Sequence, residues 1–571
     1  MINLLLKYLL RERVQRRVVF ALAAAIVLLG ASLARAEEAL HGMVVAAQRE
    51  ASAAGLDILK AGGNAVDAAV AVGYALAVVD PCCGNIGGGG FMLIRRADGG
   101  ETVINFREAA PAAATPAMYL DPAGNPVREA SLYGYRAVAV PGTVRGLDLA
   151  LEKYGRLQRD KVMAPAIALA RDGFVLGAAD AAIIERGAKR LAADPEAARI
   201  FLHPDGTSYR AGERLKQPDL AATLARIAAE GPDAFYRGAI PHAVAAASMT
   251  GGGILTEADF AGYTAGELPP LGCAYRGYTI VSAPPPSSGG TTLCEILTIL
   301  SGWEIGAADY RSPRAVHLTA EAMRNAFRDR NSVLGDPDFV ANPVARLTAP
   351  GYAAAIRAAI DPAKATPSSA LAPVAAGERP QTTHYSVADG EGNAVSVTYT
   401  LNGNFGAAVV APGTGFLLNN EMDDFAVKPG ASNLFGLVQG EANAIQPGKR
   451  PLSSMTPTLI EKDGKLVFVL GSPGGPRIIT AVLETAMNLI DFRLLPEEAV
   501  AAPRFHHQYL PDTLFYEKGG LPADTVIALG GMGHKLVEQG QWGAVELIAI
   551  LDGRLVGVND PRRPAGAALG Y

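Results

Sequence analysis

Cysteine is scarce in this chain: 571 residues hold four, at Cys82, Cys83, Cys273 and Cys294. They form no paired CxxC and share no Cys/His ligand spacing, which argues against a metal site and leaves no cofactor to expect. Disulfides stay open if the chain is exported, and the spacing does not pair them. Charge is also sparse. Charged residues make up 19% of the chain and the net charge is −5, whereas a nucleic-acid partner calls for a basic face. No Ser/Gly-rich or charged linker cuts the body into independent blocks, although the length alone suggests several domains. The run Gly87–Gly90 lacks the Lys-Ser/Thr and helix of a phosphate loop. The acidic turn at Gly335-Asp-Pro-Asp338 lacks calcium-loop spacing. Apolar residues, by contrast, are plentiful at 49%, enough for a large core in a chain of this size.

Residues 1–36 read as a leader. Lys7, Arg11, Arg13, Arg16 and Arg17 form a basic start, Val18–Ala34 carries no charge, and Ala34-Arg35-Ala36 offers small residues for cleavage, as in a secretory signal. The uncharged run is also at the lower limit for a membrane span, so an uncleaved anchor in the inner membrane is the alternative. Either way the basic end stays cytoplasmic and the body lies outside, in the periplasm or medium.

Beyond the leader, apolar spacing predicts helices over Ala51–Ala61, closed by Gly62-Gly63, and over Ala65–Val79, which is apolar nearly all round and so buried. Further helices are expected at Lys161–Asp172, Leu220–Glu230 (capped by Pro218-Asp219), Ile240–Ser248, Arg314–Asn325 and Arg477–Asp491. Strands are expected at Phe91–Ile94, Thr102–Phe106, Gly415–Asn419 and Leu466–Leu470. The middle of the chain carries no obvious chemistry. Gly430–Gln446 is polar and aperiodic, long enough for a lid.

The informative stretch begins at Gln381-Thr382-Thr383-His384-Tyr385-Ser386-Val387. A Pro-bearing, aperiodic linker, Leu371–Pro380, precedes it. Two alternating runs, Thr382–Ala388 and Ala394–Leu401, then flank the turn Asp389–Asn393, a β-hairpin signal. A threonine hydroxyl is a weak nucleophile unless a base sits beside it, and a freed α-amino group on the same residue supplies one. Its unperturbed pKa of roughly 7.7–8.0 suits a general base near neutral pH.

Seven collinear motifs resemble those of the γ-glutamyltransferase (glutathione hydrolase) family. They are Gln381–Val387, Asn85–Phe91, Asn105–Glu108, Pro284–Gly290, Asn420–Asp424, Pro451–Ser454 and Gly471–Gly475. The resemblance runs from about Gly42 to Tyr571. It implies an α/β (α+β) fold, the four-layer αββα sandwich of N-terminal-nucleophile hydrolases, made as a self-processing proenzyme. Scission between Gln381 and Thr382 would give a large chain (37–381) and a small chain (382–571) sharing one core. By the same resemblance Thr382 attacks the γ-glutamyl amide of glutathione and related donors. Thr400 holds Thr382 in place, and the Gly474 and Gly475 N–H groups stabilise the oxyanion. Arg107, Ser453 and Ser454 hold the donor's α-carboxylate, with Glu108 orienting Arg107. Asn402, Glu421 and Asp424 hold its α-amino group. Water, an amino acid or a dipeptide then accepts the acyl group. The chemistry agrees with the residue types, since a planar fork of donors suits a carboxylate and a zwitterion needs partners of both signs.

One position departs from the pattern. Where some bacterial members carry a lid tyrosine, this chain has Phe435, which removes a hydroxyl that could reach Asn402. His384 and the pair His506-His507 read as structural, because an N-terminal nucleophile needs no histidine base. Two other readings compete. One is a related acylase of glutaryl-cephalosporin or poly-γ-glutamate type; the other is an exported peptide-binding protein that never cleaves itself.

Overall fold

A computed structural model of the protein describes residues 36–368 and 382–571. The leader up to Arg35, the linker Leu371–Pro380 and Gln381 lie outside the described residues. Ala36, which ends the expected leader, opens the strand Ala36–Ala39 and pairs with Val558.

Two seven-stranded sheets form the centre, and every pairing within them is antiparallel. The first runs Ala567–Gly570, Gly42–Ala46, Thr383–Asp389, Ala394–Thr400, Gly89–Arg95, Glu101–Asn105, Gly266–Leu268 across its width. The second runs Ala36–Ala39, Arg554–Val558, Leu547–Leu551, Lys465–Leu470, Thr458–Lys462, Tyr278–Ser282, Leu271–Tyr275. Both sheets therefore combine strands from before and after Thr382.

Side-chain alternation along each strand decides what packs where. Met43, Val45, Phe91 and Leu93 point between the sheets and meet Val281, Leu459, Val469 and Ile548 of the other sheet. Their neighbours Val44, Ala46, Met92 and Ile94 point the other way, into helices Arg49–Lys60 and Ala65–Val79. On the far side, Ile460, Leu470, Leu547 and Ala549 pack on helices Gly289–Leu300, Pro313–Val333 and Arg477–Ile490. The layers are thus helix, sheet, sheet, helix. All of Ala65–Val79 is buried, as its unbroken apolar composition requires. Asn64 caps it by accepting from the N–H groups of Val66 and Asp67.

Two local expectations fail. Gly415–Asn419 is not a strand; it keeps one isolated bridge, Val410 to Leu417. Gly415 has a left-handed φ of +75°, and Asn419 Nδ2 donates to the carbonyls of Gly87 and Ala139 at 2.8 Å each, anchoring the segment to loops rather than a ladder. Helix Pro218–Glu230 begins at Pro218 with Gln217 as its cap residue, not at a Pro218-Asp219 cap. Proline fits the first helical position because its missing N–H is not needed there, and Asp219 instead pairs with Arg199. Cys273 and Cys294 form a disulfide with Cα atoms 5.8 Å apart, tying an edge strand to a covering helix. The adjacent Cys82 and Cys83 are also bonded to each other.

Candidate active site

The hairpin sets the nucleophile candidate. Thr383 pairs with Tyr399, and continuing that register sets Thr382 opposite Thr400 at the hairpin's open end. Both are almost fully buried. The Thr400 hydroxyl accepts the Asn402 N–H at 2.8 Å, and Asn402, at a left-handed φ of +76°, donates from Nδ2 to the Asn420 carbonyl at 3.0 Å. The chain turning out of the strand is thereby fixed against the segment that carries Glu421 and Asp424.

Every expected site residue except Gly474 lines one small pocket that opens to solvent, and Phe435 and Arg330 line it too. Gly474 faces a second, more polar cavity with Asp80, Arg477 and Arg563. Gly474 and Gly475 have φ of +139° and +56°, a backbone that side chains rarely tolerate. Two residues later begins helix Arg477–Ile490, whose N-terminal end favours negative charge.

The pocket's charges are matched within the protein. Arg107 is fully buried; its Nη1 bonds Glu421, its Nη2 lies 2.5 Å from Asp424 Oδ2, and its Nε donates to the Pro451 carbonyl at 3.0 Å. Glu108 Oε2 stands 3.4 Å from Nη1, in the orienting position expected of it. Burial alone would lower the Arg107 pKa, but Glu421, Glu108 and Asp424 hold it above the ordinary arginine value. Burial pushes Glu421 well up and Glu108 up to about 7, against the pull of Arg107. Glu421 Oε2 and Glu108 Oε1 are buried with no hydrogen-bond partner among the described residues.

Ser453 and Ser454 are set by the Pro284–Gly290 motif. The Ser453 N–H donates to the Pro286 carbonyl at 2.9 Å, and the Ser288 N–H donates to the Ser453 carbonyl at 2.8 Å. The Ser287 hydroxyl donates to the Met455 carbonyl at 2.5 Å. The motif resemblance gave this stretch no role of its own; in the structure it braces the serines.

Arg330 was missed altogether. Its guanidinium donates to Ser454 Oγ and Ser288 Oγ at 3.2 Å each and to Gln439 Oε1 at 2.8 Å. Burial lowers its pKa to about 10. A signal was present: Met323, Ala326 and Phe327 trace the apolar stripe of helix Pro313–Val333, and Arg330 interrupts that stripe at helical spacing.

The histidines first read as structural lie outside this pocket. His384 bonds Thr398 Oγ1 at 2.9 Å and Ser386 Oγ at 3.2 Å, and burial drops its pKa to about 3. His506 joins Thr480 to Gln508, at 3.0 and 2.9 Å. Gln508 Nε2 in turn donates to the Phe435 carbonyl at 3.2 Å, holding the expected lid from below.

The gamma-glutamyltranspeptidase family model matches residues 51–570. The glutathione hydrolase proenzyme of Pseudomonas sp. (strain A14) is 53% identical over 544 residues, spanning 93% of this chain and 94% of the relative. That of Escherichia coli (strain K12) is 49% identical over 536 residues, spanning 93% and 92%. Among solved structures, the cephalosporin acylase from Bacillus halodurans superposes with a TM-score of 0.84 at 30% identity, covering 94% of this chain and 97% of its own.

Proposed function

Because the chain belongs to the gamma-glutamyltranspeptidase family, we propose that it is a self-processing glutathione hydrolase and γ-glutamyltransferase with Thr382 as its nucleophile. The observation that carries the reading is the pocket itself. One buried guanidinium, two paired carboxylates, two braced serines and the hairpin threonines converge on a single small space.

In this reading Thr382 Oγ first attacks the Gln381 carbonyl, shifting that acyl group from the Thr382 nitrogen to its oxygen. Water hydrolyses the resulting ester, leaving Gln381 as a carboxylate and Thr382 with a free amine and hydroxyl. The amine takes the hydroxyl proton as Thr382 Oγ attacks the donor's γ-amide carbonyl. Gly475 lines the pocket and Gly474 is its chain neighbour; in this reading their N–H groups hold the oxyanion beside the Arg477–Ile490 helix terminus. Collapse expels the amine fragment, cysteinylglycine for glutathione, and leaves a γ-glutamyl ester on Thr382. Water, an amino acid or a dipeptide then takes the acyl group. The donor's α-carboxylate replaces Asp424 and Glu421 on the Arg107 fork and meets Ser453 and Ser454. Its α-ammonium is held by Glu421, Asp424 and Asn402. No cofactor enters any step.

The acylase reading shares the fold but not this charge pattern. A glutaryl group has no α-ammonium, so Glu421 and Asp424 would face nothing positive in such a substrate. We further propose an exported protein, on the strength of the basic and uncharged runs ahead of Ala36. No helix among the described residues is long and apolar enough to cross a membrane.

The test is a denaturing gel of the purified protein with N-terminal sequencing, followed by turnover of a chromogenic γ-glutamyl anilide with and without Gly-Gly. Two chains, the smaller starting at Thr382, and anilide turnover are expected. A single intact chain without turnover would leave the peptide-binding reading standing instead.

A further inference from the structure

Away from the pocket, a second buried cluster spans the two parts of the chain. His317 and Glu321 lie one turn apart on the same face of helix Pro313–Val333. His534 reaches them from the turn that follows helix Ala523–Gly531. One ligand atom from each falls within 4.8 Å of the other two. His317 and Glu321 are fully buried and His534 is 6% exposed.

The hydrogen bonds around the cluster leave its centre under-satisfied. His317 Nε2 donates to the Asp361 carbonyl at 2.9 Å, which makes Nδ1 the lone-pair nitrogen; Nδ1 accepts from His534 Nε2 at 2.8 Å, a hydrogen bond that a bound ion would replace. The outer oxygen of Glu321, Oε1, accepts from Arg324 Nε and the Thr366 N–H at 3.2 Å each. Its inner oxygen, Oε2, is buried with no hydrogen-bond partner among the described residues, and so is His534 Nδ1. A carbonyl that fixes the tautomer of one imidazole, and donors that fix one carboxylate oxygen while leaving the other bare, are what outer partners of a metal ligand do.

We propose that His317, Glu321 and His534 form a binding site for a zinc-like divalent transition ion. Two imidazoles and one carboxylate match that class, whereas calcium and magnesium want oxygen ligands throughout. Three protein ligands fall one short of a closed structural site, so the ion should be removable by a chelator. His317 and Glu321 precede Thr382 and His534 follows it, which makes the site a clasp between the two chains. Contacts next to the cluster also hold residues 365–368, which precede Thr382. Ala365 N–H donates to the Met532 carbonyl at 2.8 Å, Ser368 N–H to Asp512 Oδ2 at 2.8 Å, and Arg324 Nη1 to Ser368 Oγ at 2.6 Å. The cross-chain consequence rests on the proposed scission; the zinc site does not.

The experiment strips purified protein with EDTA, reloads it with zinc chloride, removes excess and counts metal by mass spectrometry. Wild type should retain about one zinc per catalytic unit, and His317→Gln and His534→Gln should each lose most of it. Zinc should also raise the wild-type melting temperature after EDTA treatment, a readout that survives if a variant folds poorly. Thr382→Ala, uncleaved under the proposed function, should bind zinc like wild type, so failed processing and a failed site are told apart. No retained zinc and no melting shift in wild type, or full retention in both histidine variants, would overturn the site. A two-chain protein whose resistance to separation in urea is the same with zinc and with EDTA would overturn the clasp.

Discussion

Arg107 Nη2 stands 2.5 Å from Asp424 Oδ2: the residue expected to hold a carboxylate and a residue expected to hold an ammonium are paired with each other. The pairing meets the buried guanidinium's need for a countercharge. It also means that a γ-glutamyl donor would bind by exchange, its carboxylate going to Arg107 and its ammonium to the carboxylates released.

Thr382→Ala should abolish both scission and turnover, since the hydroxyl starts each, and Thr382→Ser should keep part of both. Gel analysis of freshly purified variants reads the outcome. Two chains from Thr382→Ala would remove Thr382 from the nucleophile role.

Arg107→Lys should raise the donor KM while leaving scission in place. A single ammonium cannot offer the planar two-pronged fork that the incoming carboxylate takes over from Glu421 and Asp424, and losing a charged hydrogen bond costs about 1.5–3 kcal/mol, roughly ten- to a hundred-fold in kcat/KM. Kinetics on a γ-glutamyl anilide that match wild type would take Arg107 out of donor binding.

Arg330→Met should act through Ser454. The expected result is a donor KM raised about ten-fold, from the loss of a charged hydrogen bond, with kcat changed far less and Arg330→Lys recovering part of the affinity. If kcat collapses while KM holds, Arg330 does not work by positioning the serine.

Burial raises the pKa of Glu421, with Glu108 up to about 7, so protonated carboxyls dominate at low pH. An ammonium needs the ionised form. Donor KM should therefore fall as pH rises beyond the ordinary carboxylate range and Glu421 ionises, and Glu421→Gln should flatten that profile. A wild-type KM that rises over the same interval contradicts the assignment of the ammonium site.

Phe435 lines the pocket with Asn402, and Phe435→Tyr would add a hydroxyl there. A net hydrogen bond of about 0.5–1.5 kcal/mol shifts a closed/open balance several-fold. Transfer to Gly-Gly relative to hydrolysis should change, and bulky anilides should suffer more than glutathione. Equal ratios and equal donor preference in both proteins would mean that residue 435 does not gate the site.

The parts of this architecture that were legible in the sequence are those where local chemistry and tertiary need agree. Ala65–Val79 advertised its burial by composition, and Thr383–Asp389 with Ala394–Thr400 advertised a hairpin by alternation. The site residues came from motif resemblance, and the pocket brings them together apart from Gly474. What stayed hidden depended on distant partners. Gly415–Asn419 has strand-like residues, yet Asn419 is claimed by loops more than two hundred residues earlier in the chain. Arg330 left one local trace, a charge interrupting an apolar stripe, but nothing local says that this helix face meets a pocket, or that His317 and Glu321 on the same helix meet a histidine from elsewhere.

The mixing of strands from either side of Thr382 within each sheet has a consequence for how the protein is made. Each sheet is assembled while the backbone is continuous, so loop closure is intramolecular. Once the bond is cut, recovering the same sheets from denatured material becomes a bimolecular, concentration-dependent event with no tether to set register. The mature enzyme would then persist because unfolding is slow rather than because refolding is easy, and its lifetime under heat should depend on the rate at which the first interleaved strand comes loose.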